Sequence, residues 1–152
     1  MILTTKIELL DFFNSFSIYN ETIEKKISMF KEILLTINFN KVSLLIQDEF
    51  DEIVIIFILK FPDFYNSGEL IIVFRENTTK IYLYGKKILL KDDNHKNFKK
   101  TLEFIKKIFK GEYCLKKIYK NDDIISYEVF FNITDNNCIV YNGINLISPK
   151  NS

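Results

Sequence analysis

Several residue types are missing or scarce in this chain, and each shortage excludes a kind of chemistry. There is no alanine and no tryptophan; there are four glycines, two prolines, two cysteines, one histidine and, in Arg75, a single arginine. A structural zinc takes four Cys or His ligands, and a catalytic zinc takes three protein ligands with histidine prominent among them. His95, Cys114 and Cys138 do not stand at such spacings, so no metal site is expected. Loops that cradle phosphate need clustered glycines, which let backbone N–H groups approach the ligand. Gly68, Gly85, Gly111 and Gly143 are isolated, and neither GxGxxG nor GxxxxGK occurs, so no cofactor is expected. The strained G-x-S-x-G elbow of hydrolases is also absent. The one Cys–His combination worth weighing is Cys114 with His95, but Cys114 lies in an alternating segment between Tyr113 and Leu115 and reads as a structural thiol. No catalytic residue is assigned, and an enzyme is not the expectation.

Scarce cysteine bears on compartment as well. Folding a chain of 152 residues hides roughly 70% of its unfolded surface, enough for a core without covalent staples. Both cysteines are therefore read as reduced strand residues. Lys6, Glu8 and Asp11 stand where an export signal needs an apolar run. The longest apolar run, Ile53 to Leu59, is far shorter than the roughly 20 residues that span a bilayer. A cytoplasmic protein with no membrane partner is expected.

What the chain does have is an ordinary globular balance, 47% hydrophobic and 27% charged. Its apolar residues fall into clear periods. Ile7, Leu10 and Phe13 mark a helix over about 5–16. Ile23, Ile27, Phe30 and Leu34 mark a second, opening near Glu21, with Glu21 and Glu24 at the positive end of its dipole. Phe98, Leu102, Ile105 and Phe109 mark a third over about 95–110, with Asp93 or Asn94 as N-cap and Gly111 just past its end. Strand patterns lie at 42–47, 52–61, 70–74 and 81–84, with a short extension at 88–90, and again at 112–119, 124–131 and 138–147. The run Ile53 to Leu59 is apolar on both faces, which predicts a central strand. Runs of strands without regular βαβ alternation predict antiparallel pairing. The expected fold is a single α+β domain over 1–152: N-terminal helices, an antiparallel sheet of about four strands, one amphipathic helix, then a C-terminal run of about three antiparallel strands.

The strongest functional signal is charge segregation. From Lys86 to Lys120 there are twelve lysines against Asp92, Asp93, Glu103 and Glu112, so 12 − 4 = +8; the whole chain carries +1, which leaves 1 − 8 = −7 for the rest. Lys96, Lys99, Lys100, Lys106, Lys107 and Lys110 fall on the polar side of the third helix and form the candidate basic face. Asp48, Glu49, Asp51 and Glu52 form a candidate acidic loop between two strands. Each is read either as a solvated surface or as a docking surface for a partner of opposite charge. A segregated layout speeds encounter with a charged partner. The expected function is a small cytosolic, stoichiometric protein-binding inhibitor, of the kind that gives immunity to a bacterial toxin or that a phage directs at a host defence enzyme. The alternative is a nucleic-acid-binding domain using the basic 86–120 surface, with Tyr82, Tyr84, Tyr113 and Tyr119 for stacking. Lysine is a point charge without arginine's bidentate fork, so contact would be with phosphates rather than base edges. Oligomeric state is left open.

Overall fold

Each helix starts at a side chain that satisfies its free N–H groups. Thr5 Oγ1 accepts from the Glu8 amide at 3.1 Å and opens α1 (Lys6–Ser15). Asn20 Oδ1 accepts from the amides of Thr22 and Ile23 at 2.9 and 3.1 Å and opens α2 (Glu21–Leu34). Asn94 Oδ1 accepts from the Asn97 amide at 2.8 Å and opens α3 (His95–Phe109). Such caps pair donors that the first helical turn leaves without partners. Gly111, with φ of +79°, follows the end of α3 in the left-handed conformation that glycine adopts without strain.

The structure is a computed structural model and describes residues 2–16, 20–49, 51–59, 69–131, 139–140 and 144. Six strands form one antiparallel sheet in sequence order: β1 (Ile2–Leu3), β2 (Val42–Glu49), β3 (Glu52–Leu59), β4 (Glu69–Phe74), β5 (Thr78–Leu83) and β6 (Lys86–Lys91). A second antiparallel sheet has the order β8–β7–β9, from β7 (Cys114–Lys120), β8 (Asp123–Phe130) and β9 (Ile139–Val140). The α+β architecture therefore holds, with two strands more in the first sheet than the sequence suggested. Ile2 and Leu3 pair with Leu45 and Leu44 and add one edge, and Lys86–Lys91 closes the other. Two of the two-residue hairpin turns have both central residues at positive φ: Tyr84 and Gly85 (φ +48° and +83°), then Asn121 and Asp122 (φ +53° and +69°). Positive φ at both central positions matches the twist of the flanking strands.

The three helices cover one face of the six-stranded sheet. Alternation sends Val42 and Leu44, Ile53, Ile55 and Phe57, and Leu70, Ile72 and Phe74 to that face, where all are buried. Five buried phenylalanines link helix to strand. Phe30 of α2 lies 5.0 Å from Phe74 and 6.1 Å from Phe109, centroid to centroid; Phe57 lies 5.4 Å from Phe109, and Phe74 lies 6.0 Å from Phe98. Tilted and edge-on pairs at these separations stabilise beyond their buried area. Among the described residues, no helix is long and apolar enough to cross a membrane.

Candidate functional site: a lysine-walled groove between two helices

The α3 lysines are where their spacing put them. Positions 96, 99, 100, 103, 106, 107 and 110 recur every three to four residues, so they form one stripe on the side of α3 away from the sheet. Lys96, Lys99, Lys100, Lys106, Lys107 and Lys110 are all exposed. At 1.5 Å per residue the stripe is roughly 21 Å long. Glu103 interrupts it and accepts a hydrogen bond from Lys106 Nζ at 3.0 Å. That bond and the nearby charges of Lys106, Lys110 and Lys107 hold the Glu103 carboxyl below the usual carboxylate range. Among the described residues this is the only ion pair that the six lysines make.

The structure adds a second wall that the helix pattern alone does not show. α2 lies beside α3, and an open groove of about 1190 Å³ runs between them. Its floor is apolar, from Met29 and Ile33 of α2 and Leu102 and Phe104 of α3. Lys99, Lys100, Lys106, Lys107 and Lys110 line the α3 side together with Glu103, while Ser28, Glu32 and Thr36 line the α2 side. The site is a concave, partly apolar surface under a positive field.

The acidic residues meet at the tip of the β2–β3 hairpin, where Glu49 pairs with Glu52. They are not equivalent. Arg75 Nε donates to Glu52 Oε2 at 2.6 Å and holds the Glu52 carboxyl below its ordinary range. Glu49 sits beside that carboxylate, and its own carboxyl is raised, first by the hydrogen bond with Glu52 and then by desolvation. Asp48 and Asp51 are exposed. The hairpin thus presents three carboxylates without the arginine and one with it. Arg75, the residue best suited to reading a base edge, is engaged here and does not line the α2–α3 groove.

The tyrosines proposed for stacking are dispersed. Tyr113 is buried, and burial pushes its phenol up to about 12 despite an opposing hydrogen bond from Tyr84. Tyr84 packs with Tyr113 and Tyr127 at 6.4 and 5.6 Å. Tyr119 is exposed on β7, and none of the four lines the α2–α3 groove.

The reading of Cys114 as a reduced thiol is corrected: Cys114 is fully buried and disulfide-bonded. β7 and β9 pair with Cys114 opposite Val140, a contact between distant parts of the chain that no local spacing announces. A thiol in a disulfide is no nucleophile, so the Cys114–His95 pairing has no chemistry to offer. Cys138 lies outside the described residues. His95 is exposed at the first position of α3, and no group of three or more His, Cys, Asp or Glu residues is gathered for a metal ion among the described residues.

One polar cluster escaped sequence reading. Lys26 Nζ donates to Asp92 Oδ1 and to the Arg75 carbonyl, both at 2.8 Å, and lies 5.2 Å from the centre of the Phe98 ring. Asp92 Oδ2 accepts from Thr79 Oγ1 at 2.6 Å and Thr101 Oγ1 at 2.9 Å. The cluster joins α2, β5, α3 and the end of β6 inside the core. The clue was a lysine and a threonine on apolar stripes, Lys26 between Ile23 and Phe30 and Thr101 between Phe98 and Ile105. It also takes Asp92 out of the surface charge count.

Comparison with known proteins finds no matching family model, no matching curated protein and no matching solved structure.

Proposed function

We propose that this chain is a stoichiometric protein-binding inhibitor, an immunity-type or anti-defence protein, that engages an acidic partner through the α2–α3 groove. The observation that carries this reading is the pairing of an apolar floor with a lysine wall. An acidic amphipathic segment fits such a groove, its apolar side on Met29, Ile33, Leu102 and Phe104 and its carboxylates toward Lys99, Lys100 and Lys107. Nucleic acid would use the lysines but leave the apolar floor uncovered, and arginine, the usual reader of guanine, is absent from the groove. The acidic β2–β3 tip gives the molecule a second pole, which orients it as it approaches a charged partner.

Intracellular placement belongs to this proposal. The Cys114 disulfide weighs against it, because such bonds persist chiefly in oxidising compartments. Thiol labelling of the protein as drawn from its native cells decides that point.

The test compares the wild-type chain with Lys99→Glu/Lys100→Glu/Lys107→Glu, both used to capture partners from native lysate. The captured protein is then purified, and its activity is titrated with each chain. The reading expects a 1:1 complex that blocks the target's activity and is lost in the charge-reversed variant. It fails if the two chains retain the same proteins. It also fails if the wild type retains only nuclease-sensitive material released by moderate salt, which is the behaviour of phosphate contacts.

A further inference from the structure

The six-stranded sheet has a second face, and no described element packs on it. Strand register arranges its side chains in rows. One row reads Ile2, Leu45, Ile56, Ile71, Tyr82, Lys87 across β1 to β6. The next reads Gln47, Val54, Val73, Lys80, Leu89. The third, at the hairpin end, holds Glu49 and Glu52, then Arg75 one residue past β4, then Thr78 and Lys91. None of the apolar residues in these rows belongs to the helix-side core or packs against it; even Val73, only 8% exposed, lies outside that cluster. Ile2 and Leu89 at the row ends are 52% and 50% exposed.

The hairpin-end row is self-complementary in charge, with Glu49 and Glu52 on its β2–β3 side and Lys91 on its β5–β6 side. The other two rows are uncharged from β2 to β4 and carry one lysine each, Lys87 and Lys80, on the β5–β6 side. A two-fold axis parallel to the strands, passing over β4, keeps each row at its own level and reverses the strand order. It lays Ile71 on Ile71, Val73 on Val73 and Ile56 on Tyr82, brings Glu49 of one copy over Lys91 of the other, and sets the aliphatic stems of Lys87 and Lys80 over Leu45 and Val54 with their ammonium ends free to reach water. Two-fold interfaces are isologous, and this pattern meets that demand. Each outward side chain occupies about 30 Å² of sheet, so the three rows cover roughly 500 Å² per copy and about 1000 Å² per pair, near the lower bound for a specific interface. We propose that this chain forms a homodimer by packing together the two sheet faces that no described element covers, as in an aligned β-sandwich. The α2–α3 groove, on the helix side, stays open in each copy.

Sedimentation equilibrium of the full chain tests this. The wild type is expected at twice 18.1 kDa. Ile71→Lys is expected as a folded monomer, with its helical circular dichroism and cooperative melt retained. Glu49→Lys and Lys91→Glu change only exposed side chains and should fold as the parent does. Each should weaken self-association by roughly tenfold or more, because like charges then face each other twice. Mixed in equal amounts, the two should form a heterodimer of near wild-type affinity, since both opposed pairs again carry opposite charge. A monomeric wild type overturns the proposal, and so does a dimer indifferent to Ile71→Lys. Failure of the mixture to restore association overturns the face-to-face arrangement. A wild-type monomer that sediments with phosphatidylglycerol vesicles would assign the face to a lipid surface instead.

Discussion

The two faces of the six-stranded sheet are built from the same strands and carry similar apolar residues, yet the described elements cover only one. On the helix side, Ile53, Ile55 and Phe57 are buried among phenylalanines of α2 and α3; one position along in each case, Val54, Ile56 and Ile58 remain partly exposed. Alternating hydrophobicity therefore identifies a face fit for burial without saying what buries it. The faces also treat charge differently. The helix-side core buries one carboxylate and one ammonium against each other, Lys26 Nζ with two hydrogen bonds and the Phe98 ring, whereas the other face keeps its charges at the surface, acids and Lys91 in the hairpin-end row and Lys80 and Lys87 in the other two.

The sharpest way to break the comparison is to disturb the charge on the helix side. Asp92→Ala removes the partner of Lys26 Nζ and the acceptor of the Thr79 and Thr101 hydroxyls. Stranding a buried charge in this way costs about 3–5 kcal/mol. Urea unfolding should show that loss, and a loss below about 1 kcal/mol would mean that water reaches the cluster.

Neighbouring residues on one strand make the comparison direct. Phe57→Ala leaves a cavity beside Phe109, between Leu44 and Leu70, and should cost about 3–5 kcal/mol. Ile56→Ala, one residue away on the bare face, should cost under about 2 kcal/mol when the chain is dilute. Stability drawn from self-association grows with protein concentration. The Ile56→Ala penalty should therefore rise with concentration, while the Phe57→Ala penalty should not. Equal, concentration-independent penalties would show that the two faces are equally covered.

These contrasts mark how far the sequence could be read. The stripes of α2 and α3 were legible because a 3.6-residue period needs only local information; the cap of α3 was narrowed to Asp93 or Asn94 and is Asn94, whereas Asn20 was not singled out as the cap of α2. The central place of β3 followed from its two-sided apolarity. β1 was not legible, because two residues carry no period. Lys26 and Asp92 lie 66 residues apart, and their meeting depends on how α2 packs over the sheet. The α3 lysines could be named as a face, but the groove needs Met29 and Ile33 on a neighbouring helix. Local spacing could not announce the Cys114 disulfide, nor the β7–β9 pairing that sets Cys114 opposite Val140. In each case the missing information was tertiary.

A further prediction concerns a proton buried in the helix-side core. Desolvation raises the Tyr113 phenol to about 12, so it stays protonated after the unfolded chain's tyrosine, near 10, has ionised. A folded value above the unfolded one means stability is intact below pH 10 and is lost as pH climbs from 10 to 12. The loss is roughly 3 kcal/mol at 1.36 kcal/mol per unit. Tyr113→Phe should flatten that decline in urea unfolding and remove the last-rising component of the tyrosinate absorbance. An unchanged decline would mean that water reaches the phenol.

The smallest effect belongs to the bare face. Arg75 lowers the Glu52 carboxyl, so the pair stabilises the fold above the normal carboxylate range and loses that contribution as pH falls through the lowered value. Glu49 runs the other way: Glu52 raises it, so ionising Glu49 costs stability as pH rises through its range. Glu52→Gln should therefore lower the melting temperature slightly at neutral pH, and Glu49→Gln should leave it level or raise it. Both differences from wild type should vanish once the carboxylates are protonated. Exposed pairs are screened by water and salt, so moderate salt should shrink these shifts while leaving the Asp92→Ala defect in place. If salt erased the Asp92→Ala defect as well, the Lys26–Asp92 pair would be as open to solvent as Glu52 and Arg75, and the two faces would not differ in how they hold charge.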